Sequence, residues 1–211
     1  MNDYLKIALP KGRLAYQVFD MMNNAGYSID VEEKTRKLII KDDVNKFIYM
    51  FIKPTDIVTY VDQGVCDIGV VGKDSIVEED KDIYELMDLE IGKCKMVVAG
   101  EDESILENIS SIRVASKYPK IAKDYFDSIN IRADIVKLNG SVELGPLVGL
   151  SDVIVDIFET GSTLKANNLL VVSDIFDISC RLISNKVSYR INNKVIKELE
   201  SRLLEKRGSY A

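Results

Sequence analysis

Histidine is absent from this sequence of 211 residues, and its absence excludes several kinds of chemistry. Without an imidazole the chain cannot form a Ser-His-Asp or Cys-His nucleophile, a histidine metal ligand or a histidine acid–base pair. An enzyme built from this sequence must therefore work with carboxylates, cations, hydroxyl groups, backbone amides or groups of its substrate. Transfers from activated phosphosugars fit this restriction, because they require little from a general base.

Cysteine is scarce, and basic tails and long apolar runs are missing. Cys66, Cys94 and Cys180 have no paired spacing, so we expect buried reduced thiols and neither a disulfide framework nor a zinc site. The net charge of −6 without a basic tail disfavours a general nucleic-acid binder. No apolar stretch approaches the length of a membrane span, and Met1 to Leu9 lacks the apolar core of a signal peptide. We therefore expect a cytoplasmic protein that does not contact a membrane.

Hydrophobic residues make up 46% of the chain, and their spacing alternates between that of a strand and that of a helix. This alternation predicts an α/β fold with layers around parallel-rich sheets. The predicted strands are 5–9, 38–40, 47–52, 67–72, 83–89, 94–100, 112–115, 134–137, 153–157, 170–172 and 177–184. The predicted helices are 14–25, 54–63, a segment from 73, 120–128, 142–148, 164–167 and a terminal helix with Ile191, Val195, Leu199 and Leu203 on one face.

No flexible linker separates the two alternating sections of the chain. Strand-like segments near 89–95 and 173–181 join them instead, which predicts two domains connected by two chain crossings. We expect one domain from 1–90 together with 179–211, so that the C-terminal helix packs on the N-terminal section, and a second from 91–178. A cleft between such domains, lined by strand ends, is the usual ligand site of this architecture.

Residues 153–164, with the sequence VIVDIFETGSTL, carry the clearest sign of a ligand. A short buried strand is followed by a loop rich in hydroxyl groups, with Gly161 inside it, and then by a predicted helix start at Leu164. Backbone N–H groups at a helix start and nearby hydroxyl groups bind phosphate, and glycine lets the anion approach closely. The order of strand, loop and helix therefore predicts a phosphate site.

Two carboxylates, Asp156 and Glu159, stand where that strand ends. Carboxylates would repel a phosphate alone, but they suit a sugar phosphate whose hydroxyl groups, or a bound Mg²⁺, need oxygen acceptors. A second interpretation stays open, because Thr-Gly-Ser-Thr is also ordinary helix-cap composition and acidic residues complement a helix start.

Other groups could contribute to the same site. Lys11 and Arg13 flank a glycine at the end of the first strand, where they would suit polyphosphate oxygens, although solvated turn charges are the alternative. Glu143 follows a glycine turn and could start a helix, accept hydrogen bonds from ribose hydroxyl groups, or do both. The glycines of 64–73 miss the spacing of a kinase-type phosphate loop, so that site is rejected.

Together these segments resemble the ATP phosphoribosyltransferase family over nearly the whole chain. The similar blocks are Leu9 to Leu14, Pro54 to Val61 with Asp67 to Asp74, Gly140 to Pro146, and Asp152 to Leu169. The last resembles the family's signature for phosphoribosyl pyrophosphate and, with Glu143 placed 13 residues before Asp156, is the most specific.

The resemblance implies a fold like that of type II periplasmic binding proteins, with catalysis in the interdomain cleft. It implies an Mg²⁺-dependent reaction in which N1 of ATP attacks C1 of phosphoribosyl pyrophosphate with inversion, which gives N1-(5-phosphoribosyl)-ATP and pyrophosphate. The metal would be carried by substrate phosphates. Catalytic roles fall on Lys11, Arg13 and Arg36, although Arg36 could equally lie in a solvated turn. The implied substrate-binding residues are Lys53, Glu143, Asp152, Asp156, Glu159, Thr160, Gly161, Ser162, Thr163 and Leu164.

Three features depart from the family pattern. Lys53 stands where arginine is common before Pro54, which replaces a bidentate contact by a point charge, and Val58 stands where proline is common. The chain ends after one terminal helix and so resembles the short form of the family. That resemblance implies a homodimeric catalytic subunit that works with a separate subunit related to histidyl-tRNA synthetase. A solute-binding protein of similar architecture, or a different phosphoribosyltransferase, is the competing interpretation.

Overall fold

The computed structural model describes residues 4–29, 31 and 36–206. The turn predicted around Arg36 begins with Lys34 and Thr35, which lie outside the described residues. The chain forms two compact units, one from residues 1–92 and 179–211 and the other from residues 93–178. No described helix is both long and apolar enough to cross a membrane.

The helices and strands follow one another in the alternating order that the sequence predicts. They are β1 (Leu5–Pro10), α1 (Arg13–Asn24), β2 (Ile39–Asp42), β3 (Phe47–Ile52), α2 (Pro54–Asp62), β4 (Ile68–Gly72), α3 (Lys73–Glu79), β5 (Tyr84–Asp88), β6 (Cys94–Gly100), β7 (Ser111–Ser116), α4 (Pro119–Ser128), β8 (Arg132–Lys137), α5 (Leu144–Leu147), β9 (Val153–Phe158), α6 (Ser162–Ala166), β10 (Leu170–Ile178), β11 (Cys180–Ser184), α7 (Lys186–Ile191) and α8 (Asn193–Lys206).

The first unit is built on a six-stranded mixed sheet with the order β2-β3-β1-β4-β11-β5. The central strand β1 is parallel to β3 and β4, and Pro10 lies opposite Ile52. Helix α1 covers this sheet with an apolar face that includes Phe19 and Met22, which pack in one core with Tyr49 of β3. Because parallel strands end at the same edge, the segments that follow β1 and β3 lie side by side.

The second unit is built on a five-stranded mixed sheet with the order β10-β6-β9-β7-β8. Strand β9 is central, parallel to β7 and antiparallel to β6, and its first three residues are fully buried. Strands β7 and β8 are also parallel, so the carboxyl ends of β7, β8 and β9 share one edge of the sheet. The predicted α/β class is confirmed by these two sheets.

Three local predictions are wrong. The predicted strand 177–184 is divided at Ser179: its first two residues end β10, which begins at Leu170, and the rest form β11 in the other unit's sheet. The helix predicted over 142–148 is the single turn α5. The buried face of α8 carries Ile196, Leu199 and Leu203, whereas Val195 of α8 is 43% exposed and Ile191, which ends the separate helix α7, is 67% exposed.

The three cysteines are free thiols, as expected. Cys66 and Cys180 are buried, while Cys94 is partly exposed, so the expectation of burial holds for two of them. Burial raises the pKa of the Cys66 thiol to about 12, which keeps it protonated and unreactive at neutral pH.

Candidate active site

A pocket of about 300 Å³ lies at the carboxyl end of β9, within the second unit. It gathers eight of the residues that the sequence singles out, together with Ile157 and Phe158 at the end of the strand. The eight are Glu143, Asp156, Glu159, Thr160, Gly161, Ser162, Thr163 and Leu164. The predicted phosphate loop and the predicted ribose carboxylates therefore line one cavity.

The loop at the centre of this pocket turns at Gly161, whose φ of 72° lies in the left-handed region. A β-carbon at this position would come within 2.7 Å of Cε2 of Phe158, closer than any relaxed contact. Phe158 thus fills the space directly beneath the loop. Glycine is required here by both the backbone conformation and the neighbouring ring.

Hydroxyl groups occur on both sides of Gly161. The Thr160 and Ser162 side-chain oxygens lie 3.0 Å apart, within hydrogen-bond distance of each other, and both side chains are exposed to the pocket solvent. Helix α6 starts at Ser162, two residues earlier than predicted, and spans only five residues. A helix this short has a small dipole, so anion binding in this pocket depends on loop hydroxyl and N–H groups.

Glu143 reaches the pocket from a tight turn after β8. Ser141 in that turn has a positive φ of 50°, which is uncommon for a residue other than glycine. Val142 anchors the turn in the core at 1% exposure. Gly145 follows, where a β-carbon would meet Ser151 Oγ at 2.5 Å and the Ala115 β-carbon at 2.9 Å. The lack of a side chain at Gly145 therefore lets this segment, which follows Glu143, lie close to Ala115 and Ser151.

Asp152 is not part of this pocket, although the sequence predicts a substrate contact for it. It precedes β9, so it lies about 13 Å from Asp156 along the strand, at the opposite edge of the sheet. Its carboxylate binds the Arg113 guanidinium, with 2.6 Å between Oδ1 and Nη2, and accepts the Arg113 backbone N–H at 2.8 Å. The Arg113 guanidinium beside it lowers the pKa of Asp152. The position of Asp152 indicates a structural ion pair.

The predicted cations lie in the first unit. Lys11 donates its backbone N–H to Ile52 O at 3.1 Å, which ties the end of β1 to the end of β3. Lys53 is the cap residue before α2, directly after Ile52. Lys11, Arg13 and Lys53 are exposed and share the carboxyl edge of the first sheet. Arg36 is exposed and precedes the edge strand β2.

Phe158 lines the pocket but is not among the residues that the sequence singles out. An aromatic residue at the end of a buried strand is ordinary composition. The only sequence feature that points to Phe158 is its spacing from Gly161, because a ring three residues before the glycine can pack under the loop. No group of three or more Cys, Asp or Glu side chains in the described part of the chain is arranged to hold a metal ion.

Comparisons with known proteins agree on one family. The family model HisG: ATP phosphoribosyltransferase matches residues 53–205. A protein named ATP phosphoribosyltransferase from Clostridioides difficile (strain 630) is 52% identical over 198 residues, which cover 93% of this chain and 95% of the relative. One of the same name from Bacillus licheniformis is 46% identical over 204 residues, which cover 96% and 95%.

The solved ATP phosphoribosyl transferase (HisG:HisZ) complex from Thermotoga maritima contains a chain of similar fold. The TM-score is 0.81 at 34% identity, with 96% of this chain and 98% of that chain covered. The similarity to enzymes over nearly the whole length decides against a solute-binding protein. On the matching family model and these relatives, the chain belongs to the ATP phosphoribosyltransferase family, whose reaction is the first step of histidine biosynthesis.

Proposed function

We propose that the pocket at the end of β9 binds phosphoribosyl pyrophosphate and that this chain joins its C1 to N1 of ATP. The observation that carries the proposal is the convergence of Glu143, Asp156 and the 159–164 loop on one cavity. Phosphate donors and hydroxyl acceptors are what a ribose 5-phosphate needs at its two ends. At about 300 Å³ the cavity is large enough for that part of the substrate.

In this proposal the loop residues Thr160, Gly161, Ser162 and Thr163 hold the 5-phosphate. The two threonine hydroxyls, the serine hydroxyl and the loop N–H groups donate hydrogen bonds to its oxygens, and Gly161 supplies the left-handed turn of the loop above the Phe158 ring. Leu164 closes the apolar end of the pocket.

Glu143 and Asp156 accept hydrogen bonds from the ribose hydroxyl groups. They come from two segments that end at the same edge of the sheet, β9 and the turn after β8, so they can bracket one sugar ring. Glu159 lies on the same pocket wall and completes the acceptor set. Hydrogen bonds to such charged groups contribute about 1.5–3 kcal/mol each.

The chemical step needs no protein base, which agrees with a chain that lacks histidine. The N1 lone pair of ATP forms the new bond to C1, the bond from C1 to the pyrophosphate oxygen breaks, and its electron pair leaves with pyrophosphate. Lys11, Arg13 and Lys53, with Arg36, supply cations for the pyrophosphate and triphosphate oxygens. Their position at the exposed carboxyl edge of the first sheet supports that role.

Enzymes of this family use a divalent metal, and we propose that the metal here is Mg²⁺. When bound, it neutralises charge on the departing pyrophosphate. The carboxylates of Asp156 and Glu159 are the hard oxygen ligands that Mg²⁺ accepts, and Mg²⁺ usually takes only one or two of them together with substrate phosphates. This donor set fits a metal that arrives with the substrate.

We further propose a cytoplasmic homodimer that associates with a regulatory subunit related to histidyl-tRNA synthetase. The support is the Thermotoga maritima complex, in which a similar chain is paired with HisZ. That the site lies in a cleft between the two units stays a prediction.

The direct experiment is to incubate the purified chain, alone and with its HisZ-like subunit, with ATP, Mg²⁺ and phosphoribosyl pyrophosphate. Formation of N1-(5-phosphoribosyl)-ATP and an equal amount of pyrophosphate, followed by absorbance and a pyrophosphate assay, is the expected result. Pyrophosphate release without the nucleotide product, or no turnover in either mixture, contradicts the proposal.

A further inference from the structure

The first unit carries an exposed apolar stripe on α7 and α8 that its own core does not use. Val187, Ile191 and Val195 follow one another at intervals of four residues and are 63%, 67% and 43% exposed. Val187 and Ile191 lie on one side of α7, since residues spaced by four share a helix face, and Val195 follows near the start of α8. The buried residues Ile196, Leu199 and Leu203 form a different face of α8, and that face packs in the core of the first unit.

A second observation lies at one end of this stripe. Val195 also lines a separate pocket of about 400 Å³ at the amino ends of β1 and β3. Its walls include Tyr4, Tyr27 and Phe47, and the Arg202 guanidinium lies 4.9 Å from the centre of the Tyr27 ring. Arg202 also pairs with Glu198, another wall residue, at 2.6 Å. Aromatic walls and an arginine held over a ring are typical of the central anchor sites of protein interfaces.

The charge of this region differs in sign from that of the chain. Residues 186–197 contain four basic side chains and no acidic one, and Glu198, which follows directly, is an acidic residue in the pocket wall. Arg190 and Lys194 are exposed beside the stripe, and Lys46 lies on the rim of the pocket. The apolar stripe is thus bordered by positive charge on an otherwise acidic protein.

From these observations we infer that Val187, Ile191, Val195 and the adjoining pocket form a docking surface for a different protein whose contact surface is acidic. An apolar side chain of that partner enters the pocket, and its carboxylates face Arg190, Lys194 and Lys46. The inference rests on the regulatory subunit proposed above and assigns that subunit to this surface.

Charge complementarity favours a different protein over a second copy of the chain. A symmetric dimer through this surface would place the basic border of one copy against the same basic border of the other, and like charges in contact oppose association. A second copy that used its acidic surface instead would make a heterologous contact, which builds a ring or an open filament and not a closed dimer. Neither objection applies to an acidic partner.

The test measures binding of the full chain to its HisZ-like subunit by calorimetry, at low and high salt. Ile191→Asp removes the centre of the stripe and should weaken binding by about 30-fold or more, as for a central interface residue. The control Leu204→Asp changes an exposed apolar residue on the same helix that lies away from the stripe, and should bind like the wild type.

A charge-reversal pair gives an independent variant that does not alter the apolar stripe. Arg190→Glu with Lys194→Glu should weaken binding, and most of the loss should disappear at high salt because exposed charges are screened. The control pair Lys81→Glu with Lys123→Glu changes the net charge by the same amount elsewhere. Basal turnover and thermal unfolding of every variant should equal those of the wild type, since all the altered residues are exposed.

Several results would overturn the inference while leaving the proposed function intact. The first is that both docking variants bind the partner as tightly as the wild type does. The second is that the HisZ-like subunit does not bind an active chain. The third is that Ile191→Asp loses the homodimer while its affinity for the partner is unchanged. Binding of phosphatidylserine vesicles that Ile191→Asp abolishes, with partner affinity unchanged, would assign the surface to a membrane. Failure of the function itself would instead show as absent turnover in the wild-type mixture.

Discussion

Gly161 lies directly over the ring of Phe158, so that a β-carbon at Gly161 would be 2.7 Å from Cε2 and 3.0 Å from Cζ of the ring. The contact connects the end of the buried strand β9 to the loop that lines the pocket. Strand and loop are therefore coupled, because the Phe158 ring would have to move if residue 161 carried a side chain. The proposed phosphate loop therefore leaves no room for a side chain at position 161 while the ring stays in place.

Gly161→Ala should weaken phosphoribosyl pyrophosphate binding by roughly tenfold or more, because alanine both clashes with Phe158 and disfavours a positive φ. Calorimetry of the variant checks this. In the double variant Gly161→Ala with Phe158→Leu the clash is relieved, so part of the affinity should return. Equal losses in the single and double variants would show that the ring does not control the loop.

Asp156→Asn and Asp152→Asn form a matched pair, since both remove one charge at opposite ends of β9. Asp156→Asn should raise the KM for phosphoribosyl pyrophosphate by about 10- to 150-fold with a smaller effect on ATP, as expected when a hydrogen bond to a charged group is lost. Asp152→Asn should leave both KM values unchanged. Steady-state kinetics with each substrate varied in turn distinguishes the two, and the reverse ranking would contradict the assignment.

Asp152 should instead contribute to stability in a pH-dependent way. The Arg113 guanidinium lowers the pKa of Asp152 in the folded chain below its ordinary value of about 3.9. The contribution is therefore fully present above about pH 5 and is lost as the pH falls through the folded-state pKa. The difference in thermal midpoint between wild type and Asp152→Asn should be about 1–4 °C at neutral pH and should shrink below pH 4. A difference that grows on acidification would contradict the ion-pair role.

The sequence predicted the alternating elements well, because hydrophobic periodicity reports which residues face a core. It failed where a tertiary choice overrides that pattern. Ile191 and Val195 fit an apolar helix face as well as Ile196 does, and only packing on the sheet selects Ile196. The division at Ser179 is similar: β10 and β11 are both apolar, and nothing local shows that they join different sheets.

The candidate site was predictable to the extent that it is one continuous segment. Residues 156–164 are neighbours in the sequence, and Glu143 joins them because β8 and β9 end at one edge of a parallel arrangement. Asp152 belongs to the same block of sequence, but it precedes the six-residue strand β9, whereas the pocket lies at the carboxyl end of that strand. The role of Phe158 depends on a contact that spacing alone does not reveal.

Arg13→Ala should slow the chemical step rather than weaken ribose binding. Removing one charge contact to the leaving group typically costs about 2–4 kcal/mol of barrier, which corresponds to roughly 30- to 1000-fold in rate. Rapid-quench single-turnover measurements at saturating substrates check this, with the exposed Lys81→Ala as control. An unchanged single-turnover rate in Arg13→Ala would mean that Arg13 is an ordinary surface charge.

The central claim, that the pocket at the end of β9 is the site of the ribose 5-phosphate, is tested most directly by a crystal structure of the chain with phosphoribosyl pyrophosphate. The account predicts the 5-phosphate within hydrogen-bond distance of Thr160, Gly161, Ser162 and Thr163, with the ribose hydroxyl groups on Glu143 and Asp156. A 5-phosphate bound to Lys11 and Arg13 instead, with the β9 pocket filled by solvent, would contradict it.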